Sequence, residues 1–369
     1  MKTETIIEHP SAHLKPEWVE IIRRNSAGAE RAGKLQPDQL ALIYEQQWFK
    51  LLAPAVYSGP ETPLPELLRV EEALAWANGS LGWVITLCCG AGWFGGFLVP
   101  EKARDVFALE EVCLAGSGAA TGEAHITPIG YKVTGQWKYA SGVHHATHFT
   151  ANCIIKDGAE TVTNDEGNAL ILPFIFDRKD VKIIPAWKMM GMMATGSDAF
   201  EVADLEVPPQ NCFKIDPTAA VIKNPLYLYP FRQLAETTLA ANISGIAIHF
   251  IDLAKKLIES RIQHKTFEEA HKKLMRQTVD EAEAQIAGAR ANFYYTAEES
   301  WVRMAAGELN EKSLSDVSGT SRILAKVVRE WVDRLYPYCG LAAADIDSEI
   351  NQAWRDLHTA SQHSLLTFL

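Results

Sequence analysis

The chain has 369 residues, 47% of them hydrophobic and 22% charged, and a formal net charge of −11 at pH 7. That length holds two or three packed units rather than one core, and the composition excludes a disordered chain. The acidic balance excludes a broad basic surface for nucleic acid or anionic lipid. Six cysteines show no Cys-x-x-Cys and no zinc-finger spacing; Cys88 and Cys89 lie in an apolar run and read as packing, which fits a reduced, cytoplasmic compartment. The opening "MKTETIIEHPSAHLK" is charged and proline-broken and carries no apolar leader.

Residues 11–111 read mostly helical. "PEWVEIIRRNSAGAERAG" and "PDQLALIYEQQWFKLLAP" have apolar residues at helical spacing, each opened by a proline suited to a first turn. From Ala73 to Pro100 no Asp, Glu, Lys or Arg appears. That length spans a bilayer, but its glycines, with Asn78 and Ser80, favour a buried helix followed by a glycine-rich turn. No membrane association is expected. Near Val112 the texture changes to short β-prone runs punctuated by Gly, Pro, Asn and Asp, up to about Phe213, which suggests a small barrel or sandwich. Helical periodicity then returns over about 231–261, 266–306, 318–338 and 345–366, describing a bundle.

Four motifs carry candidate chemistry. In "HHATH", His144 and His148 share one face of an extended strand, but nothing stands at a spacing to complete a metal site. No metal is expected, and the histidines read as packing groups or, for one of them, as a catalytic group. Ser141 follows the aromatics Trp137 and Tyr139 and precedes Gly142, a glycine that permits close backbone approach. That grouping suits a flat heterocycle or an ordinary hairpin end. "CLAGSGAATGEA" lacks the strand–turn–helix context of a dinucleotide fingerprint and reads as a glycine-rich crossing near a ligand or a plain loop. Near the C-terminus, "NQAWRDLHTASQHSLLTFL" places Arg355, Asp356 and His363 on one predicted helix, with Asp356 and His363 two turns apart.

Together these pieces resemble the acyl-CoA dehydrogenase superfamily over nearly the whole chain. The resemblance rests on "ANGSLGWV", "LAGSGAATGEA", "GYKVTGQWKYASG", "GMMATGSDAFEVADLEVP" and "WRD", in that order. It implies an α+β fold: an N-terminal helical domain over 1–111, a middle β-barrel or sandwich domain over 112–213 on the flavin and substrate side, and a C-terminal four-helix bundle over 214–369. Within the superfamily the chain is more similar to flavin-dependent two-component monooxygenases, through Trp137-x-x-Ala140-Ser141-Gly142 and an Arg-Asp followed by His363. Ser364 stands where dehydrogenases commonly carry a catalytic Glu, and Ser cannot take a proton as a carboxylate does.

What the resemblance implies for the site is specific. Ser141, His363 and His144 are the candidate catalytic residues, with Ser141 bonding the flavin near N5 and His363 orienting or deprotonating the substrate. Gly116, Ser117, Trp137, Tyr139, Ala140 and Ser141 are the candidate cofactor-binding residues. The uncharged run around Trp83 to Phe97 is expected to wall a dry pocket. The cofactor is FAD or FMN, with reduced flavin as a co-substrate from a separate flavin reductase. "SRIQHKTFEEA" stands where dehydrogenases clamp the dinucleotide, which leaves both flavins open. The substrate is a small aromatic or heteroatom-bearing apolar molecule, and the assembly a homotetramer. Two alternatives remain: an FAD-dependent acyl-CoA dehydrogenase with Glu236 as base, or a degenerate non-catalytic ligand-binding member.

Overall fold

The computed structural model describes residues 7–368. The first six residues, within the opening stretch read above, and Leu369 lie outside the described residues. Six α-helices come first: α1 (Pro16–Arg24), α2 (Ser26–Ala32), α3 (Pro37–Glu45), α4 (Leu64–Ala77), α5 (Gly79–Gly92) and α6 (Pro100–Phe107). Prolines in the first turns of α1, α3, α4 and α6 cost nothing there, because those N–H groups have no partner inside the helix. Asn78 closes α4 and caps α5, its side-chain oxygen accepting from the Leu81 N–H at 2.9 Å.

The uncharged run forms α5 and a 3-10 turn over Trp93–Gly96, almost wholly buried. Its glycines bring helices together. A Cβ on Gly82 would lie 2.5 Å from the Ala75 Cα, so α4 and α5 meet backbone to backbone only because Gly82 has no side chain. Among the described residues one helix, Phe231–His264, is long and apolar enough to cross a membrane, and 94% of its most apolar window is buried inside the protein.

The middle region comprises β1 (Leu114–Thr127), β2 (Gly130–Trp137), β3 (His148–Asp157), β4 (Glu160–Thr161), β5 (Ile171–Asp177), β6 (Lys182–Ile184) and β7 (Ala199–Val207). These seven strands form one hydrogen-bonded sheet in the order β4-β3-β1-β2-β7-β6, with β5 also pairing with β3. β1 and β3 run parallel, and the other pairings are antiparallel. The sheet has its own apolar core around Trp137, Phe149, Phe174, Phe176 and Phe200.

Helices return with α7 (Pro225–Leu228), α8 (Phe231–His264), α9 (Glu269–Ala305), α10 (Glu311–Cys339), α11 (Leu341–Ala344), α12 (Glu349–Ala360) and α13 (Ser364–Thr367). α8 packs against α9, α10 and α12, and α4 lies on α8, so both helical regions share one core. The fold is α+β, with helices, a central β-sheet and a helical bundle in that order. One local expectation fails. α12 stops at Ala360, and His363 caps the separate one-turn helix α13, its imidazole accepting from the Leu365 N–H. Asp356 and His363 therefore do not share a helix.

Candidate active site

A cavity of about 250 Å³ opens where the three regions meet. The N-terminal region supplies Thr86, Gly90 and Phe94, the sheet supplies Gly116, Ser117 and Asn152, and α8 supplies Phe231 and Thr238. His363 and Leu365 complete it from the C-terminal end. The expected wall is thus present, built from the part of the uncharged run that includes Thr86 and Phe94. No Asp or Glu lines the cavity among the described residues.

The lining has the chemistry of a flavin-ring site, mostly apolar with a few placed polar groups. Gly90 and Gly118 leave open space: a Cβ built on either meets no atom within 4 Å. Gly116 answers a different need, since its Cβ would fall 2.2 Å from the Thr150 hydroxyl of the neighbouring strand. These residues fit a flat, largely apolar ring held by the Ser117 hydroxyl, the Asn152 amide and His363.

His363 is neutral by construction. Burial lowers its pKa from the ordinary value. Its Nδ1 lies 3.4 Å from the Leu365 N–H, which can only donate, so the ring hydrogen resides on Nε2. In this tautomer the imidazole offers a donor, not a base. Its ring lies 6.1 Å from that of Trp83.

Ser141 is buried and lies outside the cavity lining; it accepts at 3.2 Å from the Nε1–H of Trp83, the ring beside His363. Thr195 Oγ1 donates to the Met192 carbonyl at 2.7 Å, so it accepts from Ser197 Oγ, also at 2.7 Å. Ser197 has then spent its hydrogen and accepts from Ser141 Oγ at 2.8 Å. Ser141 therefore presents lone pairs rather than a hydrogen. Ala140 is buried beside it, its N–H on the Asp198 carbonyl.

Three more expected residues lie outside the cavity lining, as Ser141 and Ala140 do. Trp137 is fully buried in the sheet core, stacked on Phe200, and its Nε1–H donates to the Asn152 carbonyl at 3.0 Å. It supports a cavity residue instead of touching a ligand there. Tyr139 is 63% exposed and packs edge-on against Trp187. His144 pairs with Asp198 at 3.0 Å, and Asp198 in turn accepts from the Ala186 and Trp187 N–H groups. That imidazole holds a loop.

Glu236, the base of the dehydrogenase alternative, also turns away. It is wholly buried, and its carboxylate accepts from Arg322 at 2.7 Å, from Arg232 at 3.1 Å and from the Ser318 hydroxyl. Its neighbours Ala235 and Thr238 line the cavity; its own side chain does not. The residues that composition and spacing did not single out are Asn152, Thr150 and Thr238. Each is a common polar residue on a strand or helix, and only the fold gathers them.

Comparison with known proteins bears on the fold. Residues 237–368 match the family model described as acyl-CoA dehydrogenase, C-terminal domain. The chain is 26% identical to the pigment production hydroxylase of Rhodococcus erythropolis, over 91% of this chain and 88% of that protein. It is 25% identical to the flavin-dependent monooxygenase oxygenase subunit HsaA of Mycobacterium tuberculosis, over 95% of this chain and 89% of that one. The crystal structure of 3-HSA hydroxylase from Rhodococcus sp. RHA1 superposes with a TM-score of 0.88 at 20% identity, covering 97% and 93% of the two chains.

The chain has the acyl-CoA dehydrogenase-like fold. Two further structures of this fold hold flavins. XiaF from Streptomyces sp., solved with FADH2 and glycerol, gives a TM-score of 0.84 at 21% identity over 96% and 92% of the chains. FMN-bound TdsC from Paenibacillus sp. A11-2 gives 0.76 at 18% identity over 95% and 92%. A flavin cofactor or co-substrate accords with the cavity as its own residues describe it.

Proposed function

We propose that the protein is the oxygenase component of a two-component system, taking reduced FMN or FAD from a separate reductase to hydroxylate a small aromatic or apolar molecule. The observation that carries this reading is the junction cavity, which holds His363 and lacks any carboxylate among the described residues. α-Proton abstraction needs such a carboxylate, and the candidate, Glu236, is spent on two arginines.

When bound, reduced flavin supplies the two electrons that split O2, one oxygen atom going to the substrate and the other leaving as water. The chain's own residues do the rest. Thr86, Phe94, Phe231 and their neighbours keep water from the reacting centre. His363 orients the substrate by donating from Nε2. Ser141 holds an acceptor hydroxyl beside Trp83, and we assign it to the N–H at the flavin's N5. Ser117 and Asn152 fix the flavin's edge. We assign a homotetramer built through the bundle, and the six free cysteines fit a reducing cytoplasm.

The test combines the purified protein with NADH, a general flavin reductase, FMN or FAD, and a panel of indole and phenols under isotopically labelled O2. One labelled oxygen atom in a product is expected. If all consumed oxygen appears as hydrogen peroxide, with both flavins and the whole panel, the reading fails.

A further inference from the structure

We infer that the dipeptide Arg355–Asp356 on α12 positions Ser141, acting through the loop Met189–Asp198. The inference rests on the assignment of Ser141 to the flavin. Its starting point is the way α12 grips that loop. Arg355 Nη1 donates to the Met190 carbonyl at 2.7 Å, and the Met192 N–H donates to Asp356 Oδ1. Gly191 lies between the two grips, and a Cβ there would fall 2.1 Å from the Arg355 carbonyl oxygen. Loop and helix therefore meet backbone to backbone. Arg355 is itself fixed by Asn351 at 2.7 Å and by Glu30.

The other end of the loop grips the Ser141 stretch in the same way. The Ala140 N–H donates to the Asp198 carbonyl at 3.0 Å and the Gly142 N–H to the Thr195 carbonyl at 2.9 Å, one on each side of Ser141. The side chains complete the link. Met192 connects to Asp356 through its N–H and to Thr195 through its carbonyl, and from Thr195 the hydroxyls run through Ser197 to Ser141. The loop thus sets both where the Ser141 oxygen sits and which way its hydrogen points. A hydroxyl forced to accept suits a partner N–H and opposes a bare nitrogen. Arg355 and Asp356 do not line the cavity and bond the loop rather than Ser141 itself, so they are positioning residues.

The experiment is a double-mutant cycle read in two ways. Anaerobic titration with reduced FMN is expected to show about tenfold weaker binding for Asp356→Ala and for Ser141→Ala, and no further loss in the double variant. Asp356→Asn, whose amide oxygen still accepts from the Met192 N–H, is expected to bind as the wild type does. Amide hydrogen exchange on the flavin-free protein should quicken about tenfold at Ala140 and Gly142 in Asp356→Ala and stay unchanged in Asp356→Asn. If Asp356→Ala does not fold, Thr195→Val, which removes the hydroxyl link alone, is expected to weaken binding as Ser141→Ala does. Multiplying effects in the double variant, failure of Asp356→Asn to restore binding, or unchanged exchange in Asp356→Ala overturns the inference. A wild-type protein that binds no reduced flavin sinks the functional reading instead, and the exchange arm then decides the positioning claim by itself.

Discussion

Glu72 in the bundle interior and His363 at the cavity are both largely buried polar side chains, and their surroundings treat them in opposite ways. Glu72 accepts from Arg290 through both oxygens, at 2.8 and 2.7 Å, from Ser244 at 2.6 Å and from Tyr294 at 2.8 Å. It is a charge fully enclosed by donors, and it ties α4 to α8 and α9. His363 has one backbone partner, apolar walls, and no charge. The bundle uses buried charge to lock helices together. The cavity keeps neutral donors and acceptors and leaves them for a ligand.

The strongest way to break that contrast is to remove the enclosed charge. Glu72→Ala strands the Arg290 guanidinium, and a broken buried pair costs about 3–5 kcal/mol. Urea unfolding is expected to show a loss of that size, and a loss near zero would mean the cluster holds nothing. At the cavity, His363→Phe keeps an aromatic ring and removes the donor. Hydroxylation is expected to fall about 10²-fold, with consumed oxygen diverted to peroxide and the thermal midpoint little changed.

The titration of His363 sharpens the same point. Because burial lowers its pKa below 6.5, the neutral form persists into mild acid, and the acid limb of kcat/KM is expected below pH 6.5. The limb should vanish in His363→Gln. A smaller effect concerns Glu71, beside Glu72 but without an arginine. Burial raises its pKa from 4.5 to about 8, with the Cys89 thiol as a weak donor. The folded state then binds more protons than the unfolded state between those values, so Glu71 costs stability as pH rises through that window. Glu71→Gln is expected to flatten this slope, so that its stability relative to the wild type rises with pH across the window. An unchanged slope in urea melts across pH 5–8 would refute it.

Much of this was legible in the sequence, for identifiable reasons. Long amphipathic runs fixed α8, α9 and α10, because a helical period over thirty residues has few other solutions. "LAGSG" put Gly116 and Ser117 forward as ligand-facing, since glycine on a strand signals close approach, and both line the cavity. Trp137 and Tyr139, expected to hold the cofactor, do not line the cavity, and the reason is local. Strand alternation would put 137, 139 and 141 on one face, but Tyr139 takes φ +66°, which breaks the alternation. Trp137 goes into the core, Tyr139 out to solvent, and Ser141 back inside. The pairing of His144 with Asp198 spans 54 residues and leaves no local signal. The end of α12 had one, the polar "SQHS", in which Ser361 closes one helix and His363 caps the next.

The one-turn helix α13 has too few internal hydrogen bonds to hold itself in place. Its Leu365 carbonyl accepts from Arg322, and Arg322 is anchored by Glu236. The imidazole at the cavity thus hangs from the very carboxylate that resembles a dehydrogenase base. A mutational scan would find Glu236 indispensable and misname it. The loss would arise from slack in a tether, with no proton ever passing through that side chain.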